Sequence, residues 1–595
     1  MLNVQNKKKG ILKKILVVLG STVFFLSVFR SGTATETKAF LTYILSPITN
    51  DKILPTTYPI PGDVSDTISI IACPGEYEPA SFVIHTFTDL TSLWLEPSDL
   101  KLKKGEETIP SSCIDIKIVK SWYQSGEKDI LNEGKKFLLP ELLLNDDSLV
   151  RVDTKEEENY LKLSFPEGEK YVCISKKEGF QDIPAKKGRW LTAEEFPVKD
   201  SPVLLPVNIP KDTNKQFWVT VKVPDNASAG TYTGDIKIRT KDAFIGDIKL
   251  RVKVLPFKLS QPCLTYSIFY SAGIEFSGKG SISDSDKNEE QLRKELEDLK
   301  AHGISNPVFQ QRIDVISLGK PKYLEAFEKH LKMREEIFGK GLPLYCAGFS
   351  YWSSIPIDMV KKVIGLVKPY GISEVYFYGI DEAREEKLIS QRDSWKAVHE
   401  AGGKVFVAGY AGTFEAMGDL LDLFVASSGF DPKEALKWHS VGRKIFSYAN
   451  PQCGIENPLV YRRNYGLGLW QADYDGAMDY AYQAAGDGTM FWNDFDNSVY
   501  RDIAFAYPTV DGVIDTIQWE GWREGVDDVR YLTTLLEFIG KSKNSTDSAV
   551  KEKALNAEEY IRNLKETPLS TMDLDLIRLE MIQYILELTQ SGGRP

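Results

Sequence analysis

The sequence predicts a multidomain protein in which an amino-terminal β-sandwich precedes a carboxyl-terminal (β/α)8 barrel of the TIM type and a helical extension. First, the chain of 595 residues is longer than one hydrophobic core usually supports. Second, residues 40–260 consist of short runs rich in Val, Ile and aromatic residues. Third, strand-like runs alternate with amphipathic helices after Pro262. We therefore expect the sandwich at 40–260, the barrel at 262–540 and the extension at 541–595.

The first 34 residues have the features of an export signal. Several lysines precede an apolar run from Ile15 to Phe29, and the small residues Gly32 and Ala34 follow it. The run is short for a membrane span. We expect a cleaved signal peptide, with an uncleaved membrane anchor as the alternative, and hence a secreted, periplasmic or cell-surface protein.

The charge of the chain excludes some classes of partner. The formal net charge is −11, and removal of the first 34 residues, which carry six basic and no acidic side chains, makes it −17. Such an acidic protein is not expected to bind nucleic acid or an anionic membrane face as its main partner. Any contact with a membrane is expected only through the amino-terminal segment.

The amino-terminal region has the pattern of a sandwich, because Gly, Pro, Asn and Asp separate its strand-like runs and long helical periods are missing. Charged stretches between residues 120 and 200 interrupt this pattern and predict an insertion. The clearest predicted strands are Thr67–Cys73, Ala80–Thr86, Ile114–Val119, Phe217–Val223 and Asp247–Val254.

The second half has the pattern of βα units. Amphipathic helices such as Glu289–His302 and Met359–Val367 fit between the strand-like runs. Eight such units over about 260 residues match the size of a (β/α)8 barrel. The predicted strands are Leu264–Tyr270, Asn306–Gln310, Leu344–Gly348, Glu374–Ile380, Lys404–Gly409, Leu423–Ser427, Lys444–Tyr448 and Thr489–Trp492.

Two neighbouring carboxylates, Asp381 and Glu382, directly follow the predicted buried strand Glu374–Ile380. An α/β barrel keeps its catalytic groups at the carboxyl ends of its strands, so this pair is the candidate catalytic centre. The alternative is that Asp381 caps the next helix and Glu382 lies in its first turn, where the helix dipole favours acids.

Aromatic and amide side chains follow several of the other predicted strands. Flat rings stack on the C–H faces of a pyranose, and amides and acids bond its hydroxyls, so the predicted pocket suits an oligosaccharide or glycoconjugate. Tyr448 and Trp492 could instead be barrel-core residues. The candidate substrate-binding residues are Tyr270, Gln310, Tyr410, Tyr448, Asn450, Trp470, Trp492 and Asp494, with Gln311 and Asn493 beside them.

The sequence predicts no cofactor and no metal. It has no phosphate-binding glycine loop and no dinucleotide fingerprint. The six cysteines occur singly, and the five histidines do not cluster with them.

Adjacency of the two acids restricts the mechanism. Neighbouring Cα atoms lie about 3.8 Å apart, and successive side chains of extended backbone point to opposite sides. Such a pair does not suit the usual retaining arrangement, in which two carboxyls face each other across about 5 Å. One acid can instead protonate the leaving oxygen while the other reaches a 2-acetamido group, which supplies the nucleophile in the substrate-assisted variant.

The chain resembles glycoside hydrolase family 123. The resemblance covers nearly the whole exported chain and departs from many relatives at Ala383, where they have Pro. Its segments are Gly75–Val83, Tyr378–Glu382, Gly468–Trp470, Met490–Trp492, Tyr507–Gly512 and Trp522–Leu532. It implies a sandwich followed by a barrel, β-N-acetylgalactosaminidase-like activity and substrate-assisted catalysis by an adjacent Asp-Glu pair, which Asp381 and Glu382 match by position.

We therefore expect an exported glycosidase that cleaves the bond of a β-linked N-acetylhexosamine with retention of configuration. The expected sugar is GalNAc. Glu382 would be the general acid and base, and Asp381 would orient the acetamido N–H and stabilise the oxazolinium. Either Tyr410 or Tyr448 would bond the acetamido carbonyl.

Two alternatives to this function stay open. One is ordinary retaining hydrolysis of a sugar without an acetamido group, with Asp494 or Asp496 as nucleophile. The other is an inactive carbohydrate-binding surface protein.

Overall fold

The computed structural model describes residues 38–126, 135–176, 191–241, 243–311, 319–347, 354–454, 456–485, 491–497 and 500–591. The predicted export signal lies outside these residues. None of the helices in these ranges is both long and apolar enough to cross a membrane. Residues 40–258 and 262–529 form one compact unit, and the described part of a second unit comprises residues 38–39, 259–261 and 530–591.

The amino-terminal region is built from strands, as predicted. In the described residues before Pro262 there are sixteen, β1 to β16: Phe40–Leu45, Asp63–Val64, Thr67–Ala72, Tyr77–Thr86, Leu90–Pro97, Leu100–Leu102, Thr108–Ile109, Ile114–Gln124, Phe137–Leu144, Val150–Asp153, Glu158–Phe165, Gly168–Cys173, Val207–Ile209, Asn214–Lys222, Gly230–Arg239 and Phe244–Val254.

These strands form two large sheets and one small one. The first large sheet has the order β2-β1-β4-β14-β8-β9, and the second has the path β13-β5-β15-β16-β3 with β6 and β7 at its side. The small antiparallel sheet β10-β11-β12 lies in the region where the sequence predicts an insertion. In β15 and β16, Ile and Val alternate with polar residues, so one face of the second sheet is buried and the other is exposed.

The following region contains a parallel sheet. Strands β17 to β25 are Thr265–Ile268, Gly273–Ile274, Asp286–Lys287, Leu344–Cys346, Val375–Tyr378, Lys404–Gly409, Leu423–Ala426, Lys444–Ser447 and Gly476–Asp479. Seven of them form the order β17-β25-β24-β23-β22-β21-β20. Short antiparallel pairs follow, made by β26 to β29: Gln483–Ala484, Ile503–Ala504, Ala506–Pro508 and Val513–Asp515.

The edges of the parallel sheet are joined through one segment of irregular backbone. The N–H of Val308 donates to the carbonyl of Ile268 in β17, at 3.0 Å. The N–H of Phe309 donates to the carbonyl of Tyr345 in β20, at 2.8 Å, and Phe309 forms a parallel bridge with Cys346. The sheet therefore curls into a barrel-like domain, and the predicted second strand is reduced to this bridge.

Helices alternate with the parallel strands and then form the predicted carboxyl-terminal helical region. Their bounds in the described residues are Glu289–Ala301, Pro321–Phe338, Ile357–Val367, Glu385–Ile389, Arg392–Glu400, Thr413–Met417, Pro432–Ser440, Pro458–Arg463, Leu469–Gln471, Ile517–Lys543, Ser548–Glu566 and Leu574–Ser591.

The prediction of the last parallel strand was wrong. Its place between β17 and β24 is taken by Gly476–Asp479. Of the predicted strand Thr489–Trp492, only Phe491 and Trp492 are among the described residues, and they form a turn. The sequence Gly-Ala-Met-Asp lacks the β-branched and aromatic residues that mark a strand. Close approach of β17 explains the glycine, because a Cβ on Gly476 would lie 2.1 Å from the carbonyl oxygen of Thr265.

Candidate active site

The two predicted catalytic carboxylates lie at the carboxyl end of β21, whose four residues are all buried. Backbone hydrogen bonds attach this end to the next strand. The N–H of Gly379 donates to the carbonyl of Phe406 at 3.0 Å, and that of Glu382 donates to the carbonyl of Ala408 at 3.1 Å. The pair is therefore placed by the sheet itself.

Glu382 has an unusual backbone conformation. Its φ is 48°, in the left-handed region that costs a residue with a side chain about 1–2 kcal/mol. Such strain accumulates where the surrounding structure requires one direction of the side chain, often at functional sites. The left-handed conformation of Glu382 ends the extended backbone between the two acids, so their side chains need not point to opposite sides.

Asp381 does not cap a helix, so that alternative was wrong. The next helix begins at Glu385, its N-cap residue is Arg384, and no side chain bonds the first N–H groups. The acids of its first turn are Glu385 and Glu386. The helix begins too late in the chain for Asp381 or Glu382 to serve it.

Each carboxylate accepts hydrogen bonds from tyrosine. The Tyr378 hydroxyl donates to Oδ1 of Asp381 at 2.7 Å. The Tyr410 hydroxyl donates to Oε2 of Glu382, and the Tyr448 hydroxyl donates to Oε1 at 3.1 Å. Tyr410 directly follows β22 and Tyr448 directly follows β24, so the ends of three parallel strands bring these groups together.

Further side chains orient the phenols. The amide of Gln452 donates to the hydroxyl of Tyr448 at 3.1 Å. The ring of Phe269 packs edge-on against the rings of Tyr378 and Tyr448, with centroids 5.7 and 6.0 Å apart. The guanidinium carbon of Arg384 lies 3.7 Å from the centroid of the Tyr410 ring. The result is an aromatic-walled, hydrogen-bonded acid pair at one end of the sheet.

The electrostatic surroundings affect the acid and the phenols. Desolvation raises the pKa of Asp381 above its ordinary value, the charge of Glu382 adds to this, and the hydrogen bond from Tyr378 opposes it. Burial raises the pKa of Tyr378 and Tyr448 further above the ordinary value, and the charges of the acids they bond add to that. The phenols therefore remain protonated donors at neutral pH.

Some of the predicted substrate-binding residues serve other contacts. Tyr270 is only 1% exposed, and its hydroxyl donates to Glu295 at 2.7 Å. Trp492 is fully buried against Trp122 and Tyr507, and its indole N–H donates to the Pro508 carbonyl at 2.9 Å. Both side chains support the structure instead of lining an open pocket.

Asp494 is also buried, at 3% exposure. Its carboxylate accepts the N–H groups of Ser125 at 2.6 Å and Asp502 at 2.7 Å, and it lies 3.4 Å from the guanidinium of Arg501. These contacts fix the neighbouring loops. Asn493 likewise donates to the Lys176 carbonyl at 2.9 Å.

The remaining predicted residues lie at strand ends or in a helix. Asn450 follows β24 and donates to Ser447 Oγ and to the Ser428 carbonyl, at 2.8 and 3.0 Å. Gln310 follows the bridge residue Phe309 and is half-buried, whereas Gln311 is buried and bonds Ile274. Trp470 lies in the short helix Leu469–Gln471 and is half-buried.

Sequence reasoning missed four residues of the site: Tyr378, Gln452, Phe269 and Arg384. Tyr378 could have been found, because it precedes Asp381 by three residues at the end of the same strand. Phe269 lay inside the first predicted strand, Leu264–Tyr270; the observed strand ends at Ile268, which places Phe269 at its carboxyl end. Gln452 and Arg384 lie in loops, whose conformation a single sequence does not predict.

One trio of possible metal ligands occurs among the described residues: Asp298, His302 and Asp515, with ligand atoms within 4.8 Å of one another. Both ring nitrogens of His302 already face acids, Asp298 at 3.0 Å and Glu520 at 3.3 Å. These acids raise the pKa of His302 to about 10 against the effect of burial. Because acids occupy both ring nitrogens of His302, the trio fits an ion-pair network.

Comparison with known proteins supports a fold class. No protein-family model matches the chain, and no curated protein matches it. The fold is similar to that of a glycoside hydrolase.

The structure concerned is a family 123 glycoside hydrolase from Clostridium perfringens, with a TM-score of 0.57 and 13% identity, over 93% of this chain and 99% of that one. The predicted resemblance to family 123 is thereby confirmed at the level of fold.

Other solved structures are much less similar. A GH5 xyloglucanase from Bacteroides ovatus has a TM-score of 0.28 and 9% identity, over 78% of this chain and 98% of that one. An O-GlcNAc hydrolase mutant from Thermobaculum terrenum has a TM-score of 0.25 and 12% identity, over 55% of this chain and 82% of that one. These two carry no argument about fold or function.

Proposed function

We propose that the protein is an exported glycoside hydrolase, built as a β-sandwich followed by a (β/α)8 barrel, that cleaves a β-linked N-acetylhexosamine, most of all GalNAc. The observation that carries the proposal is the adjacent pair Asp381 and Glu382 at a strand's carboxyl end, each bonded by tyrosine hydroxyls. The likeness in fold to a family 123 glycoside hydrolase supports it.

In the proposed mechanism the substrate supplies the nucleophile. Glu382 gives its proton to the leaving glycosidic oxygen while the acetamido carbonyl oxygen attacks the anomeric carbon, forming an oxazolinium. Asp381 accepts the acetamido N–H and stabilises the positive charge, an interaction that partial desolvation strengthens. Glu382 then takes a proton from water, and the water oxygen attacks the anomeric carbon from the face that the leaving group occupied. The oxazolinium ring opens, and the product keeps the configuration of the substrate.

The phenols have a role in this cycle. Tyr410 and Tyr448 both bond Glu382 in the unliganded protein, so substrate entry must replace at least one of these bonds. Gln452 holds the hydroxyl of Tyr448, whereas the ring of Tyr410 is stacked under Arg384. Either hydroxyl can turn to the acetamido carbonyl once a leaving group occupies Glu382.

The alternative mechanism, ordinary retaining hydrolysis with Asp494 or Asp496 as nucleophile, has less support. A nucleophile must face the anomeric carbon, but both oxygens of Asp494 accept backbone N–H groups in a buried network with Arg501. Asp496 is half-buried in the same loop. A phenol-bonded acid pair also favours an enzyme over an inactive carbohydrate-binding protein.

Purified protein should cleave nitrophenyl β-N-acetylgalactosaminide far faster than the 2-hydroxy analogue, and a thiazoline analogue of the intermediate should inhibit it. Glu382→Gln should nearly abolish cleavage of a natural disaccharide yet spare the first step on the nitrophenyl substrate, whose leaving group needs little protonation. Asp381→Asn should slow both substrates by a similar factor, about 10²–10³.

The exposed neighbour variant Glu386→Gln is the matched control and should keep wild-type rates. Equal rates on 2-acetamido and 2-hydroxy substrates, together with a folded, active Asp381→Asn variant, would contradict the mechanism and favour Asp494 or Asp496. Absence of turnover on every aryl glycoside of a broad panel would favour the carbohydrate-binding alternative.

A further inference from the structure

The second large sheet of the amino-terminal region has an exposed face with an unusual pattern. Strands β15 and β16 pair antiparallel, and every second residue of each points to solvent. The inward positions are apolar: Ile236, Ile238, Ile248, Leu250 and Val252. The basic residues at outward positions are Lys237, Arg239, Lys249, Arg251 and Lys253.

Pairing with the neighbouring strands adds aromatic side chains to this face. Arg239 lies opposite Trp94 of β5 on one side and opposite Phe244 of β16 on the other. Trp94 is 48% exposed and Phe244 is 56% exposed. Because neighbouring strands lie about 4.8 Å apart, the row places the backbones of Trp94 and Phe244 about 10 Å apart, with that of Arg239 between them.

The face is basic although the protein is acidic. Lys101 of β6 pairs with Thr233 and joins the outward residues. Of the described residues on the face, six are basic and only three are acidic, namely Glu96, Asp235 and Asp247, whereas the whole chain has a net charge of −11.

Most of these basic side chains make no close ion pair within the chain, although Lys237 and Lys249 lie opposite Asp247 and Asp235 in the register. Arg239 lies 3.2 Å from Glu96, which is itself exposed. Lys237, Lys249, Arg251 and Lys253 make no ion pair within 4 Å with any described residue. A concentration of one sign of charge on one face attracts a partner of the opposite sign.

We propose that this face binds an acidic polysaccharide, whose sulfate or carboxylate groups contact the basic rows of β15 and β16 and whose pyranose rings stack on Trp94 and Phe244. A flat sheet face can accommodate an extended polymer. Successive outward residues lie about 7 Å apart along each strand, so a chain that crosses the face meets several cations. The binding site requires neither Asp381 nor Glu382 and is independent of the proposed catalytic activity.

The aromatic row distinguishes a polysaccharide from other polyanions. A nucleic acid or an anionic lipid surface would be held mainly by the lysines and arginines, and its binding would change little without Trp94. A saccharide would also use the indole, whose flat apolar surface covers the C–H face of a sugar ring. The effect of Trp94→Ala therefore separates these partners.

The test measures binding of purified exported protein to dextran sulfate and polygalacturonate, neither of which contains an N-acetylhexosamine, with neutral dextran, phosphatidylglycerol vesicles and duplex DNA as comparisons. Wild type should bind the two acidic polysaccharides, more weakly at higher salt because the exposed charges are screened. The double variant Lys249→Gln/Arg251→Gln should raise Kd about tenfold, since each exposed charge contact contributes a factor of up to about five. Trp94→Ala should raise Kd about threefold or more.

The matched control is Lys361→Gln/Lys362→Gln, which removes two exposed charges from the helix Ile357–Val367. It should leave Kd unchanged, and all variants should keep the melting temperature of wild type. Absence of binding to both acidic polysaccharides would overturn the proposal. An equal rise of Kd in the control variant would also overturn it. The same holds if the protein binds vesicles or DNA more tightly than the polysaccharides and Trp94→Ala does not change that binding.

Discussion

Asp381 and Glu382 are neighbours in the chain but have different surroundings. Asp381 is exposed on one side, but the surrounding protein displaces part of the hydration of its carboxylate, and it has one phenol donor. Glu382 is half-buried between two phenol donors. A group with few donors and reduced hydration is costly to ionise. Asp381 is therefore a residue at which function and stability oppose each other.

Asp381→Asn should stabilise the protein at neutral pH while it lowers activity. Because the pKa of Asp381 is raised in the folded state, its protonated form is favoured on folding, and that contribution is lost as pH rises through the folded pKa. Asparagine removes the cost of ionisation and can still accept the bond from Tyr378. The melting temperature of the variant should exceed that of wild type at pH 7.

The difference should disappear below the ordinary pKa of 3.8, where Asp381 is protonated in both states. Asp393→Asn is the control, because the Asp393 side chain is 99% exposed. A variant less stable than wild type at pH 7 would show that the carboxylate is favourable in the fold.

At the scale of elements, most of the correctly predicted strands and helices were found from their hydrophobic pattern. Runs such as Lys404–Gly409 were found with their bounds because Val and Phe fill both faces of a buried parallel strand. The strand Gly476–Asp479 was missed because its position depends on a close approach of β17, which no local pattern records. The same holds for the end of β21, where the left-handed turn at Glu382 decides that the helix begins only at Glu385.

Gly476→Ala should destabilise the protein. The added methyl group would lie 2.1 Å from the Thr265 carbonyl oxygen and 3.1 Å from the ring of Phe446, so β17 and β25 must separate. The expected cost is about 1–3 kcal/mol of unfolding free energy, as for other overpacked cores. Urea unfolding followed by tryptophan fluorescence measures it.

Gly365→Ala provides the matched comparison in a helix. Gly365 is exposed in Ile357–Val367, and a Cβ there meets nothing within 4 Å. Alanine should therefore stabilise by about 0.5–1 kcal/mol. If Gly476→Ala were neutral while Gly365→Ala stabilised as expected, close contact between β17 and β25 would not limit the fold.

At the scale of the whole molecule, the largest unpredicted feature is a buried polar network around Glu141 of β9. Its carboxylate accepts the indole N–H of Trp122 at 2.7 Å and amide N–H groups of Gln124 and Gln518 at 2.6 and 2.7 Å. Glu141 and Gln518 are 377 positions apart in the chain. Sequence patterns report local periodicity, so partners at such separations could not be predicted. The burial of Asp494 was not predicted either, whereas a core position was one of the two alternatives for Trp492.

Buried acids of this kind make stability depend on pH. Burial raises the pKa of both Glu141 and Asp515 to about 7, so their stabilising protonated form is lost as pH rises through that value. His302, with a folded pKa of about 10, loses its contribution above the ordinary value of 6.5. His330 acts in the opposite direction: its pKa is lowered to about 3, so its contribution grows with pH until the imidazole of the unfolded chain has lost its proton, about one pH unit above the ordinary value of 6.5.

Between pH 6.5 and 8 the three raised pKa values outweigh the one lowered value, and the unfolding free energy should fall. Each net proton can contribute up to about 1.4 kcal/mol per pH unit. Urea midpoints measured at constant ionic strength should decrease over this range. Asp515→Asn should reduce the slope because an amide does not titrate, whereas the exposed Asp393→Asn should leave it unchanged. A midpoint that is constant or rises from pH 6.5 to 8 would mean that Glu141 and Asp515 are already ionised in the folded protein at pH 6.5, with the buried network arranged to stabilise their charges.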